Sequence, residues 1–303
     1  MSERALRRRR FLGTAMAGAA GAFALGGVGD AAESLDWPTH GDAPPVLPAP
    51  PAGFTWTLDP AKSDDFRGDA LDTDKWSTEH WIEINNNIVA FKPDNATVHR
   101  DKLHIWLKKE PYKGVNYTGG YVRSKFYMAE DTYIEVRARM IPHVANVNSA
   151  IWMYDVPDPA LNPNVEIDMH EYLRPLDKPN EVHNSFHLWY KKAGSQPGPP
   201  ADSHTSLANV DWLHRSNLDA GYHVYGLERR KKGTGSGRPG GFVRFYLDGV
   251  PHWTYGATFV PELVTQPRPL IFNVNGNAGI PVDSHLPASM QVDWVRVYNL
   301  TEQ

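Results

Sequence analysis

Glu166, Asp168 and Glu171 stand within six residues of one another in the stretch "NVEIDMHEYL", residues 164 to 173. Two carboxyl groups held about 5–5.5 Å apart are what retaining glycoside hydrolysis needs, one as nucleophile and one as acid/base. A third acid between them can share a proton with the nucleophile. Close like charges push pKa values apart, which keeps one group protonated near neutrality. An exposed polar strand face would carry two acids without chemistry. Here the remaining residues, Val165, Ile167 and Met169, alternate with the β-sheet period, and strands are poor in Asp and Glu.

Alternate residues of a strand share a face, so Glu166 and Asp168 point the same way. Glu171 lies five positions from Glu166 and points the other way on a regular strand. One extra residue at a β-bulge between Asp168 and Glu171 restores the phase and aligns all three acids. A metal site on Asp168, His170 and Glu171 does not follow, because His170 then faces away from the acids and no second histidine cluster has metalloprotease spacing.

From Phe54 onward, short apolar or alternating segments are separated by turn signals. "DKLHIWLKK", "YIEVRARMI", "SAIWMYDV", "NVEIDMHEYL", "EVHNSFHLWYKK", "YHVYGLERR", "FVRFYLDGVPHW", "LIFNVNG" and "MQVDWVRVYNL" all have strand length. Asp248-Gly249 is a hairpin turn signal. Many strands and no long 3.6-residue period predict an all-β fold, a two-sheet sandwich. Residues 191–212 and 231–241, rich in Gly, Pro and Ser, read as loops, the first flanking the substrate and the second a hairpin extension.

The remaining composition bounds the function. Cysteine is absent, which excludes disulfides, thiolate metal sites and a Cys nucleophile. "RRRRFLG" before a Gly/Ala-rich apolar run reads as an export signal over residues 1–33, of twin-arginine type at Arg8-Arg9-x-Phe11-Leu12. Residues 34–53 read as a Pro-rich linker and 54–303 as one catalytic domain. Without residues 1–33 the chain holds 26 basic and 32 acidic side chains, a formal charge of −6. That charge argues against nucleic acid as a partner. The expected protein is secreted or periplasmic, free of the membrane after cleavage, and monomeric.

"EIDMHE" resembles the bulged E-x-D-x-x-E signature of glycoside hydrolase family 16. "DDFRGDALDTDKWS" (64–77), "YTGGYVRSKFYMAEDTYIEVRARM" (117–140), "FVRFYLDGVPHW" and "QVDWVRVY" resemble further segments of that family, in order, over residues 54 to 300. The resemblance implies a concanavalin-like β-jelly roll of two antiparallel sheets with a concave cleft. It implies Glu166 as nucleophile, Asp168 as assisting acid and Glu171 as general acid/base of a retaining, endo-acting β-glycosidase. No cofactor is implied for catalysis. A structural Ca²⁺ on the convex side is, with Asp293 at one ligand position.

Around the acids, Trp152 is the first choice for a sugar platform, ahead of Trp76, Trp81 and Trp106; a core Trp is the competing reading of each. His183, Ser185, His187 and Trp189 alternate onto one strand face, and the resemblance implies that His187 or His183 lies near the acid/base. Arg123 and Arg174 are candidates for sulfate or sugar hydroxyls, since the planar guanidinium bonds bidentately; surface solubility is the duller alternative. "FKPDNATVHRDKLHIWLKK" and "YTGGYVRSK" resemble red-algal galactanases, and "NPNVEID" lacks the Gly of β-1,3-glucanases. The expected substrate is therefore an agarose, porphyran or carrageenan type of galactan. The alternatives are laminarin on the same scaffold and a non-catalytic lectin.

Overall fold

All nine segments with strand patterning are strands, and their alternation sorts the chain into two sheets. The computed structural model describes residues 47–79, 84–199, 201–231 and 240–303. The expected export signal, most of the expected Pro-rich linker, Trp81 and most of the 231–241 stretch lie outside the described residues.

The smaller sheet has seven strands, in the order Ser203–Leu213, Glu181–Tyr190, Asn164–Glu171, Asn148–Met153, Leu270–Asn275, Tyr121–Ser124 and Trp76–Ser77. All its pairings are antiparallel. The larger sheet has eleven strands, and its long central members are Thr132–Arg139, His223–Arg230 and Ala288–Glu302. One pairing in it is parallel, Val89–Phe91 with Val115–Gly119. Among the described residues, helix is confined to one turn, Glu262–Thr265, and three-residue 3₁₀ turns. No helix among the described residues is long and apolar enough to cross a membrane.

The core lies between the sheets. Ile167, Phe186 and Phe272 of the smaller sheet join Val136, Leu227, Phe245 and Val295 of the larger in one buried cluster. Phe186 packs its ring 5.4 Å from that of Phe245. Each such side chain contributes about 1.5–3 kcal/mol by leaving water, so each strand is held in the phase that buries its apolar face. That phase is what turns Glu166 and Asp168 outward.

The chain passes from one sheet to the other at Gly119-Gly120. Gly119 ends a strand of the larger sheet, and Tyr121 begins one of the smaller. A β-carbon at Gly119 would fall on the carbonyl oxygen of Val274, and one at Gly120 on that of Asn95. Only glycine lets the backbones approach this closely.

Three expectations need correction. Residues 203–213 are not loop; they form the edge strand of the smaller sheet, paired with Glu181–Tyr190 from end to end. At an edge neither face is fully buried, so the apolar alternation that marks the inner strands is missing. Trp76 is core, 1% exposed between Phe66, Phe126 and Phe272. Trp106 belongs to the larger sheet and stacks on His104, away from the acids.

Candidate active site

The bulge is where the spacing of the acids puts it. Asp168 pairs with Ser185 and Glu171 with His183, so two steps on one strand span three on the other. Against the opposite neighbour, Trp152 pairs with Asp168 and Ile151 with His170, which leaves Met169 as the extra residue. Met169 and His170 both turn inward, and His170 stacks on core Tyr225 with ring centroids 5.2 Å apart. Glu171 therefore returns to the face of Glu166 and Asp168. All three line one pocket of about 480 Å³, with Trp152, Tyr154 and Trp189 among its walls.

Each acid has its own partners. Trp189 donates its indole N–H to Glu166 Oε2. Asp168 Oδ2 accepts from Ser185 Oγ and lies 3.3 Å from His187 Nε2. Asn148 Nδ2 donates to Glu171 Oε1 at 3.1 Å, and its own Oδ1 accepts from the Tyr172 backbone N–H at 2.6 Å. Asn148 thus ties the side chain of Glu171 to the backbone just past it.

The electrostatics follow from burial and crowding. Burial and the neighbouring Asp168 charge push the Glu171 carboxyl up to about 7. Burial, the Asp168 charge and a hydrogen bond with Asp168 raise Glu166 well above the usual carboxylate range, against the Trp189 N–H, which favours its ionised form. His187 is lowered by burial, but the hydrogen bond and charge of Asp168 outweigh this and raise it. Its Nδ1 meets His204 Nε2 at 2.8 Å. Burial and the neighbouring His187 hold His204 below the ordinary imidazole value.

The structure gathers some of the expected residues and disperses others. Trp152 and Trp189 line the pocket, and Tyr154 lies between them, 6.2 Å from the ring of Trp152 and 6.0 Å from that of Trp189. Trp152 Nε1 and Asn273 Oδ1 are buried without a protein partner, and both residues line the pocket. His187 reaches Asp168. His183 stands opposite Glu171 in the register, but its Nδ1 bonds Asp211 at 2.5 Å.

Neither arginine is a free anion clamp. Arg123 bonds Asp155 at 2.6 Å and Tyr127 at 2.8 Å. Arg174 is held by Glu181 and by Asp211 at 2.6 Å. Asp293, the expected Ca²⁺ ligand, meets Lys102 at 3.3 Å and Arg137 closer still. Two cations already neutralise its two oxygens, so the setting does not fit a metal ligand.

Sequence reasoning missed several members. Tyr154, Asn148 and the alternating Asn273, Asn275 and Asn277 all bear on the pocket. The three asparagines had a signal, a polar period of two through the apolar "LIFNVNGN". His204 had none, because its strand was hidden in a polar stretch.

Residues 56–300 match the sequence model of the family described as beta-porphyranase A–D, GH16 domain. The chain is 28% identical over 213 residues to β-porphyranase E of Zobellia galactanivorans, covering 67% of this chain and 71% of that protein. Its fold is similar to that of a β-porphyranase from the human gut bacterium Bacteroides plebeius, with a TM-score of 0.67, 20% identity, and 85% and 96% of the two chains covered. An endo-β-1,3-glucanase from Pyrococcus furiosus has the same fold, with a TM-score of 0.63, 20% identity, and 82% and 96% covered. The match of nearly the whole β-sandwich to one domain family, with three carboxylates converging on its pocket, makes this chain a glycoside hydrolase and a member of family 16.

Proposed function

We propose that the protein cleaves internal β-linkages of a red-algal galactan with retention of configuration. The observation that carries this reading is the bulge at Met169, which sets Glu166, Asp168 and Glu171 on one pocket face with Glu171 raised to about 7. A carboxyl with that value is protonated in half the molecules at neutrality and can act as acid and then as base.

In the first step Glu171 gives its proton to the glycosidic oxygen while Glu166 attacks the anomeric carbon; the C–O bond to the leaving sugar breaks and a glycosyl–enzyme ester forms. In the second, ionised Glu171 takes a proton from water, whose oxygen attacks the same carbon and releases Glu166. The nucleophile must be ionised, although burial raises it. The hydrogen bond to Asp168 reconciles the two, since the shared proton can move to Asp168 while the Trp189 N–H stabilises the charge left on Glu166. Trp152, Tyr154 and Trp189 offer ring faces to the apolar faces of sugars, and the side chain of Asn273 lines the same pocket.

A galactan is favoured by the porphyranase family match and by the β-porphyranase relative. No Lys or Arg is among the described residues lining the pocket. The units bound beside the acids are therefore read as unsulfated. Export by the twin-arginine route remains part of the proposal and rests on Arg8-Arg9-x-Phe11-Leu12.

A reducing-end assay on agarose, porphyran, κ-carrageenan and laminarin, with NMR of the first anomer released, tests the reading. Activity on a galactan with the β-anomer appearing first, lost in Glu166→Gln, is the expected result. Cleavage of laminarin alone overturns the substrate; first release of the α-anomer overturns the mechanism. Binding without cleavage on every polymer supports a lectin instead.

A further inference from the structure

A separate cluster of titratable side chains joins the two sheets outside the pocket. His214 directly follows the edge strand Ser203–Leu213, His223 opens the strand His223–Arg230 of the larger sheet, and Asp248 sits in the turn between Phe242–Leu247 and Val250–Gly256. Asp248 (φ 49°) and Gly249 (φ 75°) both have the positive φ that a tight hairpin turn demands. The turn fixes where the carboxylate points. Asp248 Oδ1 accepts the Val224 backbone N–H at 2.8 Å, while Oδ2 faces the two imidazoles, 2.8 Å from His223 Nδ1 and 3.5 Å from His214 Nε2. One donor atom from each of the three residues lies within 4.8 Å of the other two.

The geometry points to a binding site for one zinc-type divalent ion, held by His214, His223 and Asp248 with water completing a tetrahedron. Bonds of about 2.0–2.1 Å in a tetrahedral site place neighbouring ligand atoms about 3.3 Å apart, against 2.8 Å and 3.5 Å from Asp248 Oδ2 to the two imidazoles. Two imidazoles with one carboxylate suit zinc, cobalt or nickel; calcium and magnesium demand oxygen donors. His214 turns Nε2 toward Asp248, while its Nδ1 meets the backbone N–H and the carbonyl oxygen of Ser216, each at 3.2 Å. His223 is more than nine-tenths buried and turns its Nδ1 toward Asp248 Oδ2.

Such an ion would pin the hairpin of the larger sheet to the end of the smaller sheet's edge strand. That strand carries Asp211, which bonds His183, and His204, which packs against Trp189 with ring centroids 4.1 Å apart. The ion is thus a staple for one wall of the pocket and takes no part in the reaction.

The test titrates chelator-treated full-length protein with Zn²⁺ and with Co²⁺ by calorimetry, visible absorption and thermal melting. The expected result is one equivalent bound, the absorption bands of tetrahedral Co²⁺, and a melting point raised by about 5 °C or more when free Zn²⁺ exceeds Kd a hundredfold. Asp248→Asn and His214→Gln should each abolish all three, and His214→Gln should keep the circular dichroism and galactan cleavage of the metal-free parent. No saturable binding to the parent overturns the proposal. So does binding that survives both substitutions.

Discussion

Asn184 donates its side-chain N–H to the carbonyl oxygen of Met169, 2.6 Å away, and so grips the residue that the bulge inserts. Its Oδ1 lies 2.7 Å from His252 Nε2, on the strand Val250–Gly256 of the other sheet. Burial lowers His252 to about 4, so the ring is neutral and its Nε2–H is the donor. The bulge interrupts the backbone ladder, and a fully buried amide on the next strand makes a bond in its place. The alignment of Glu171 with Glu166 is thereby anchored across the core.

Asn184→Ala should lower kcat about 10- to 100-fold with KM within about twofold, because a misplacement near 1 Å costs that much when the acid must meet one oxygen. Leaving the buried partners unsatisfied costs about 1–3 kcal/mol, or a melting point lower by about 2–4 °C per kcal/mol. Steady-state kinetics and a melting curve on the same sample separate the two effects. Parental kcat in a destabilised variant would show that the clamp serves folding alone.

The pH profile should lose activity on the alkaline side near pH 7, as Glu171, raised to about 7 by burial and Asp168, gives up its proton. His187 opposes that rise through its positive charge. His187→Gln removes the charge, so the Glu171 value climbs and the alkaline limb of kcat/KM moves to higher pH. A limb that stays in place, or moves down, assigns it to another group.

The same shift carries a stability cost of known sign. Glu171 is raised above its unfolded value, so the folded state binds the proton more tightly. Its contribution is fully present below about pH 4.5 and is lost as pH rises through about 7. Glu171→Gln is always neutral and escapes the loss. Its melting point should match the parent's at pH 4 and exceed it by several degrees at pH 8, while activity disappears. Equal melting points at both values would mean that the carboxylate is well solvated.

These features differ in how far the chain itself announces them. The bulge is legible because Glu166, Asp168 and Glu171 are local in sequence, and a five-residue offset on a period of two demands an insertion. The nine patterned segments are legible because burial of one or both faces writes an apolar pattern. Ser203–Leu213 is not, since an edge strand that buries little carries no such pattern. The pairing of Arg174 is invisible for another reason: Asp211 lies 37 positions away and is delivered by strand pairing. His214, His223 and Asp248 meet through topology in the same way.

Trp189 supplies the last test, because its ring has two functions that one substitution can separate. The indole N–H donates to Glu166, while the ring packs on His204 and lines the pocket. Trp189→Phe keeps a ring face and deletes the donor. Glu166 then loses the bond that favours its ionised form, and its proton is held more tightly. The acid limb of the kcat profile should move to higher pH, and kcat at pH 6 should fall about tenfold or more, with KM nearly unchanged. Trp189→Ala removes the ring as well, so KM should now rise, and losing a stacking face of this kind costs about 0.5–1.5 kcal/mol. A Phe variant whose kcat and acid limb match the parent's would show that the N–H does not tune the nucleophile, and that Trp189 acts only as a platform.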